Sequence, residues 1–297
     1  MNILELSQDF IKNYMELRLK PTTIQGYLRN IQAHILPLLS CIELNELDCD
    51  ILDRLVTQLS SSGLSNTSIV YVLSTLSKMY SYAVKRKYTS YNPLFSYDYP
   101  KKDSYYYQTL DEDQINKLVE ACRGSDIFPA VLFAAHYGLR RGEACAVLEC
   151  DLTGNVLNVR RTVSCIGGRE VITTPKNNKI RLVKLLPSDV EALKEYSQSR
   201  KPNSEGRLMR GLNGDTLIPN LVYKRYKRFL RELGLPKVRF HDLRHSYATM
   251  MMRNGVNPKI VSSVLGHSSV KVTLDTYSHC TVDMQDACLE VFRKAKM

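Results

Sequence analysis

Apolar residues recur every three or four positions along most of this chain, and the repeat shortens to that of strands only between residues 151 and 186. The clearest stripe is formed by Ile69, Val72, Leu76, Met79 and Ala83. Such spacing puts apolar side chains on one face of a helix, whereas short β-branched runs between Gly or Asn turns favour strands. The pattern therefore predicts a mainly α fold with a small antiparallel β-sheet.

Two breaks in this pattern predict a division into two domains. Asn92-Pro93 ends the first helical region, and the stretch that follows is polar, rich in Tyr and contains a further Pro. Because such composition is typical of connecting segments, we expect a helical domain over residues 1–96 and a linker over 97–108. A second domain is expected over residues 109–297.

Local signals predict where individual elements begin and end. Patterns of Thr followed three residues later by Gln or Glu, at 22–25 and 109–112, predict helices capped by those threonines. Helices are also expected over 50–59, from about 65, near 118–122, over 131–136 and from about 187. Strands are expected over 156–163, 171–174 and 180–186.

The charge of the chain favours an anionic partner. The net charge is +11, and residues 1–100 contain as many basic as acidic side chains, so the whole excess lies in residues 101–297. A basic excess attracts polyanions such as nucleic acid, although a solvated basic surface explains the same number. Clustered basic side chains that could hold phosphates are Lys78, Lys85, Arg86, Lys87, Lys101, Lys102, Arg225, Lys227 and Arg228.

Cysteine spacing and hydropathy exclude several classes. None of the eight cysteines forms C-x-x-C or a zinc-finger grouping, so we expect reduced, buried thiols and no metal site. No apolar run approaches the roughly 18 residues that span a bilayer, and the acidic N-terminus does not resemble a signal peptide. The expectation is a soluble cytoplasmic protein with no membrane partner.

Four separated segments carry the residue types of a catalytic site. They are GLRRGE at 138–143, PKNNKIRLV at 175–183, HDLRH at 241–245, and LGH at 265–267 with Tyr277 ten residues later. Each alone has an ordinary explanation, such as a surface arginine, a solvated lysine or a packing tyrosine. The two histidines of HDLRH have the spacing of a zinc protease, but Asp242 replaces the Glu that would act as its base.

Together, and in this order, the segments resemble the signature of the tyrosine recombinase (phage integrase) family. That signature is an Arg in a GLRxxE context, a hairpin Lys, HxxR, a His or Trp after LG, and then a Tyr. The resemblance covers almost the whole chain and implies a helical core-binding domain of the SAM-like type followed by a mixed α/β catalytic domain. It also implies an enzyme of the integrase or Xer type, without an arm-binding domain.

The resemblance implies that six residues cut DNA without a metal or other cofactor. Arg140 and Arg244 would meet the charge of the scissile phosphate, since a guanidinium donates a planar fork to phosphate oxygens. His241 and His267 would add donors or move protons.

The remaining roles follow from the chemistry of strand cleavage. Tyr277 would be the nucleophile that forms a 3′-phosphotyrosine, and Lys176 would protonate the leaving deoxyribose oxygen. Glu143 would orient the arginine cluster, although a simple helix salt bridge explains its position equally well.

Partners and assembly are also implied by the resemblance. The substrate would be double-stranded DNA with inverted-repeat core sites, on which four copies assemble and exchange strands through a Holliday junction. An amphipathic exchange helix over 282–296 would dock on a neighbouring subunit, with packing on its own domain as the alternative. The resemblance leaves open whether accessory proteins that set the direction of the reaction or bend the DNA also take part.

Two subfamily signals disagree, which leaves the biological role open. The hairpin is similar to the Xer type, which resolves replicon dimers, whereas TLDTYSH is closer to integrases of phages and conjugative elements. We expect integration and excision of a mobile element. The alternatives are Xer-type dimer resolution, a type IB topoisomerase with the same chemistry, and a noncatalytic DNA-binding regulator.

Overall fold

The structure is a computed structural model that describes residues 1–103, 107–175, 180–266, 269–271 and 274. Contacts between residues divide the chain into two compact units, residues 1–106 and 107–297. Each unit has its own apolar core, and each is described separately below.

In the described residues of the first unit, every element of regular secondary structure longer than a single β-bridge is a helix. Two of its helices pass through a π-helical segment, in which the backbone is locally wider than an α-helix. In chain order the elements are α1 (Ile3–Phe10), a π segment (Ile11–Met15), α2 (Glu16–Arg18), α3 (Pro21–Asn30), a second π segment (Ile31–Ile35), α4 (Leu36–Leu39), α5 (Cys49–Ser61), α6 (Asn66–Arg86) and a 3₁₀ turn (Pro93–Phe95).

Helix α6 is the element around which this unit packs. It begins where the Ser65 side chain accepts the backbone N–H of Ser68, and it buries the apolar stripe seen in the sequence. Its Leu73 and Tyr80 lie fully buried in the core together with Phe10 of α1. The helix predicted from the sequence is therefore confirmed, with its cap one residue before Asn66.

The helix predicted to be capped by Thr22 begins earlier than expected. Its first residue is Pro21, and the preceding Lys20 occupies the cap position without a side-chain hydrogen bond. A proline suits the first helical position because its missing N–H would have no partner there. The capping prediction at Thr22 was wrong for this reason.

The stretch assigned to a linker begins as part of the first unit. Tyr97 donates to the Asp53 carboxylate at 2.7 Å, and both Tyr97 and Tyr99 pack against the core. Asn66 donates to the Lys101 carbonyl at 3.0 Å. Residues 97–103 are thus tied to α5 and to the beginning of α6.

The second unit combines helices with two small sheets. Its helices are α7 (Glu112–Cys122), α8 (Phe128–Tyr137), α9 (Arg141–Cys145), a 3₁₀ turn (Glu149–Asp151), α10 (Pro187–Gln198), α11 (Pro219–Glu232), α12 (Phe240–Arg253) and α13 (Pro258–Leu265). Its strands are β1 (Leu152–Thr153), β2 (Val156–Val159), β3 (Thr162–Ile166), β4 (Arg169–Thr173) and β5 (Arg181–Lys184).

The strands form a three-stranded sheet in the order β1-β2-β5 and a separate β3-β4 hairpin, all antiparallel. The single strand expected over 156–163 is interrupted at Arg160 and Arg161. Both arginines turn to the buried carboxylate of Asp151, Arg160 at 2.6 Å and Arg161 at 2.5 Å. The two ion pairs bend the chain from one sheet into the next.

Helix α8 forms the centre of this unit. All of its residues except His136 are buried, and it ends at Gly138, whose φ of +65° is the left-handed conformation that glycine adopts without strain. The helix expected at Thr109 begins instead after Asp111, which accepts the Gln114 N–H in a capping box. An Asp two residues later was the better cap.

The thiols depart in part from expectation. Cys122 and Cys145 are buried, whereas Cys41, Cys49 and Cys150 are exposed. Cys49 is the first residue of α5, and Cys150 lies in the 3₁₀ turn Glu149–Asp151. In the part of the chain that the structure describes, no helix has the length and hydropathy to cross a membrane.

Candidate active site

Arg140 lies at the start of helix α9, two residues after the glycine that ends α8. Its backbone N–H donates to Glu143 Oε2 at 2.9 Å, and its Nη1 donates to Oε1 of the same carboxylate at 2.8 Å. About a quarter of the Arg140 side chain stays exposed, against 1% of Glu143. The carboxylate therefore fixes an arginine that still faces solvent.

Glu143 also holds a second arginine, Arg181 of strand β5. Arg181 Nη2 lies 2.7 Å from Oε2 and its Nη1 lies 3.1 Å from Oε1. Burial alone would raise the pKa of Glu143, but the hydrogen bonds and charge of Arg181, with the charge of Arg140, lower it to about 2. Glu143 is thus a permanent anion between two cations.

Arg181 was not identified as a site residue from the sequence, although a signal was present. It occupies the same face of β5 as Val183, which is 3% exposed, while Leu182 between them is 67% exposed. An arginine on the inward face of a strand requires a buried partner. The alternation in β5 therefore indicated a buried acidic partner for Arg181, which the structure identifies as Glu143.

The end of helix α13 closes the other side of this cluster. Arg181 Nε donates to the Val264 carbonyl at 2.7 Å, and Arg140 Nη2 lies 3.4 Å from the Gly266 carbonyl. A Cβ on Gly266 would lie 3.2 Å from Arg181 Nη1, so the guanidinium packs against the glycine backbone. Gly266 directly precedes His267 in the sequence.

Helix α12 brings two further predicted residues to the same region. Arg244 is 2% exposed, and its Nη1 donates to the Gly138 carbonyl at 2.8 Å. His241, one turn earlier on α12, is exposed at the cleft described below. Partial loss of hydration, together with the nearby charges of Arg244 and Arg140, lowers the pKa of His241 to about 4. The imidazole is therefore neutral near pH 7.

A cleft of about 540 Å³ lies beside Arg140 and His241 within the second unit. Its lining includes Arg140, Arg141, Thr162, Tyr223 and His241. The Arg141 guanidinium lies 5.6 Å from the centre of the Tyr223 ring, and Lys227 Nζ lies 4.6 Å from it. The wall of the cleft is therefore cationic and suited to an anion.

Three of the six predicted catalytic residues cannot be placed. Lys176, His267 and Tyr277 lie outside the described residues, as does the predicted exchange helix over 282–296. The structure thus brings together Arg140, His241, Arg244 and the supporting Glu143, and adds Arg181 to them. In the described part of the chain, no group of His, Cys, Asp and Glu is arranged to hold a metal ion.

The predicted phosphate-contacting residues fall into two sets. In the first unit all six are exposed, namely Lys78, Lys85, Arg86, Lys87, Lys101 and Lys102. In α11, Lys227 and Arg228 are exposed, with Lys227 beside the cleft and Arg228 paired with Glu232 at 3.0 Å.

Arg225 differs from its neighbours on α11. It forms an ion pair with Asp126 beside a separate pocket, away from Tyr223 and Lys227. Arg228 lines the same pocket, and the phosphate-binding role suggested for both arginines stays a prediction.

Comparison with known proteins establishes the family. The Phage integrase family matches residues 108–284, and the Phage integrase SAM-like domain matches residues 3–99. The chain therefore belongs to the phage integrase family, which confirms the tyrosine recombinase resemblance of its motifs.

Related sequences carry both of the subfamily names that the motifs suggested. A XerC-like tyrosine recombinase of Caldanaerobacter subterraneus is 29% identical, over 77% of this chain and 66% of that protein, just under two thirds of its length. A XerC of Alcanivorax borkumensis is 27% identical over 89% of this chain and 85% of that protein. The ICEBs1 integrase of Bacillus subtilis is 25% identical over 74% of this chain and 64% of that protein.

Solved structures show the same fold. The Tn1549 transposon integrase in complex with transposon right end DNA has a TM-score of 0.83 at 19% identity, covering 99% of this chain and 100% of that one. A λ integrase tetramer bound to a Holliday junction has a TM-score of 0.69 at 19% identity, covering 91% and 78%. The two-domain tyrosine recombinase architecture, helix-rich with small antiparallel sheets, is thereby confirmed.

Proposed function

We propose that this chain is a site-specific DNA recombinase that cleaves and rejoins DNA strands through a 3′-phosphotyrosine intermediate and a Holliday junction. The observation that carries the proposal is that Arg140 and His241, from two separate segments, line one cleft, while Arg244 on the same helix as His241 donates to the Gly138 carbonyl two residues before Arg140. Residues 1–96 would be the core-binding domain, 97–108 the linker and 109–297 the catalytic domain.

The arginines would stabilise the transition state of phosphoryl transfer. Negative charge grows on the nonbridging oxygens of the scissile phosphate, and fixed cations that are already oriented lower its energy without reorganisation. Arg140 is held by Glu143 and Arg244 by the Gly138 carbonyl, so both are oriented before DNA arrives. Removing one such donor typically slows a reaction by about 10²–10³-fold.

His241 would act as a neutral hydrogen-bond donor to the phosphate. Its lowered pKa keeps the ring uncharged near pH 7, and a phosphate beside it would raise that pKa. The same group can therefore donate a hydrogen bond or accept a proton as the charge on the phosphate changes.

The remaining steps are assigned from the family motifs. Tyr277 would attack the phosphorus and take the place of the 5′ oxygen, which Lys176 would protonate as it leaves. His267 would add a donor to the phosphate. The phosphotyrosine conserves the bond energy for rejoining, so the reaction would need neither a metal nor ATP.

On DNA, four copies would assemble across two inverted-repeat core sites. Exposed basic side chains would hold the backbone phosphates, and the segment 282–296 would dock on a neighbouring copy. We expect integration and excision of a mobile element in a bacterial cytoplasm, at the nucleoid. The relationship to the ICEBs1 integrase favours this role, and the relationships to XerC favour dimer resolution as the alternative.

A suicide DNA substrate tests the chemistry. Its nicked strand loses a short fragment after cleavage, so the protein stays covalently attached and migrates more slowly in a denaturing gel. We expect Tyr277→Phe to bind DNA with unchanged affinity but to form no adduct, because phenylalanine has no nucleophilic oxygen. Tyr91→Phe, which removes an exposed hydroxyl in the first unit, should form the adduct normally.

Four results would contradict the proposal or part of it. An adduct formed by Tyr277→Phe would exclude this nucleophile, and loss of wild-type cleavage in EDTA would contradict the metal-independent mechanism. Relaxation of supercoiled DNA without strand exchange would favour the topoisomerase alternative. DNA binding without any adduct would favour the regulator.

A further inference from the structure

Arg181 contacts the centre of the proposed active site but has no part in the chemistry above. We propose that Arg181 is a positioning residue, which fixes the Glu143 carboxylate and through it the guanidinium of Arg140. This inference rests on the proposed function, because the scissile phosphate is the group that Arg140 would meet.

The first argument is the way the hydrogen bonds are shared. Glu143 Oε1 accepts from Arg140 Nη1 at 2.8 Å and from Arg181 Nη1 at 3.1 Å. Its Oε2 accepts from the Arg140 backbone at 2.9 Å and from Arg181 Nη2 at 2.7 Å. Because each oxygen serves both arginines, the carboxylate cannot turn toward one without losing the other. Arg181 therefore limits the orientations open to Arg140.

The second argument is that Arg181 is itself anchored. Its backbone lies in the β2–β5 ladder opposite Val159, and its Nε donates to the Val264 carbonyl at 2.7 Å. Its side chain is 8% exposed, whereas that of Arg140 is 25% exposed. All three guanidinium nitrogens of Arg181 already donate to Glu143 or to the Val264 carbonyl, so Arg181 connects a strand and the end of α13 to Glu143.

A comparable cluster in the same unit serves as an internal control. Asp151, whose side chain is 2% exposed, holds Arg160 through one oxygen and Arg161 through the other. This cluster joins two sheets, and none of its three residues lines the cleft. Removing Arg160 therefore breaks an ion pair to a buried carboxylate without changing Arg140.

The first test measures the orientation of Arg140 directly. We would compare the ¹⁵N relaxation of the Arg140 Nε–H in the wild type, Arg181→Met, Arg181→Lys and Arg160→Met, without DNA. We expect a rigid Arg140 side chain in the wild type and in Arg160→Met, and a mobile one in Arg181→Met. Arg181→Lys keeps one charged contact but cannot reach both oxygens and Val264, so it should be intermediate.

This readout does not depend on catalysis. A rigid Arg140 in both Arg181 variants would overturn the inference even if the protein recombines DNA. If Arg181→Met does not fold, the comparison rests on Arg181→Lys. In that variant, an Arg140 side chain as rigid as in the wild type would contradict the positioning role. Absence of cleavage by the wild type would instead refute the proposed function and leave the relaxation result standing.

The second test asks whether Arg181 acts through Glu143. At saturating DNA, we expect single-turnover cleavage of the suicide substrate to slow by about 10–100-fold in Arg181→Met with unchanged Kd, since small misplacements of catalytic groups have effects of this size. Arg160→Met should cleave at the wild-type rate. In a double-mutant cycle, adding Arg181→Met to Glu143→Gln should cause little further loss.

A chemical substitution in the DNA separates this role from a general loss of structure. Replacing a nonbridging oxygen of the scissile phosphate by a methyl group removes the charge that Arg140 would meet. On this substrate, Arg181→Met should slow single-turnover cleavage much less than it does on the unmodified DNA. A defect of the same size on both substrates, or full additivity in the cycle with Glu143→Gln, would show that Arg181 does not act through Arg140.

Discussion

Glu143 is the residue whose charge has the largest consequences for the second unit. Its carboxylate is 1% exposed, and its pKa falls from an ordinary 4.5 to about 2 in the folded chain. A carboxyl group whose pKa is lowered by folding contributes its full stabilisation when the pH is above the pKa that the group has in the unfolded chain. This stabilisation is lost as the pH falls from about 4.5 toward 2.

We therefore predict that Glu143→Gln lowers the free energy of unfolding at pH 7 by on the order of 3 kcal/mol, the size expected from this shift. The variant should also lose less stability than the wild type between pH 4.5 and 2. Urea unfolding at several pH values measures both effects. Glu191→Gln, which removes an exposed partner of Lys194, should change little. Equal effects of the two substitutions would contradict the buried-charge interpretation.

His245 gives the fold a second dependence on pH, at milder acidity. It is 9% exposed, and burial together with the neighbouring His241 lowers its pKa from 6.5 to about 4. The unfolded chain takes up this proton at higher pH than the folded chain, so stability should decrease as the pH falls from 6.5 toward 4. His245→Gln should flatten this decrease, and His34→Gln in the first unit should not. An unchanged slope in His245→Gln would be evidence against this assignment.

At the scale of elements, the junction between α8 and α9 determines where Arg140 and Arg244 lie. A Cβ on Gly138 would come within 2.5 Å of Leu265 Cδ2 and 2.7 Å of Tyr247 Cδ1. The absence of a side chain thus lets α12 and α13 approach the end of α8. The Gly138 carbonyl is then close enough to accept the hydrogen bond from Arg244.

Gly124 provides a matched comparison for this junction. Both glycines have a positive φ, +82° at Gly124 and +65° at Gly138, but a Cβ on Gly124 would meet nothing within 4 Å. Gly138→Ala should therefore destabilise the chain by about 1–3 kcal/mol more than Gly124→Ala, the usual range for overpacking. Urea unfolding compares the two. Similar losses would mean that the backbone conformation, rather than the close packing, is what requires glycine.

Prediction from the sequence succeeded for elements with a strong repeat and failed where a long-range contact decides. The stripe of α6 and the β-branched runs near 156–186 predicted those elements because burial follows the repeat directly. The break at Arg160 depends on Asp151, and the role of Arg181 depends on Glu143. Such pairs are set by tertiary packing, which the sequence repeat does not specify.

The same distinction applies to the candidate site. Arg140, His241 and Arg244 were found from their motifs; the structure places Arg140 and His241 at one cleft and ties Arg244 to the Gly138 carbonyl, two residues before Arg140. Lys176, His267 and Tyr277 stay predictions from the motif alone. The motif led to Glu143 but not to its second partner Arg181, because the pairing of a strand residue with a helix residue 38 positions away becomes visible only in the folded chain.

At the scale of the whole molecule, the two units have separate cores. The core of residues 1–106 is built entirely from side chains between Ile3 and Leu94, and the residues packed around it end at Tyr99. A chain segment that completes its own apolar core has the main requirement for folding independently. The net charge also differs along the chain, since residues 101–297 carry the whole excess of +11 and residues 1–100 are balanced.

We therefore predict that a fragment of residues 1–106 folds by itself. It should show helical circular dichroism and a cooperative urea transition, because the buried apolar residues of its core, as far as the structure describes them, all lie between Ile3 and Leu94. Leu73→Ala should destabilise the fragment by about 2–5 kcal/mol, as for other large-to-small core substitutions. Hydrogen exchange of the α6 amides should show the same loss in the full chain. A fragment that unfolds without cooperativity, or a loss that appears only in the full chain, would mean that the second unit contributes to this core.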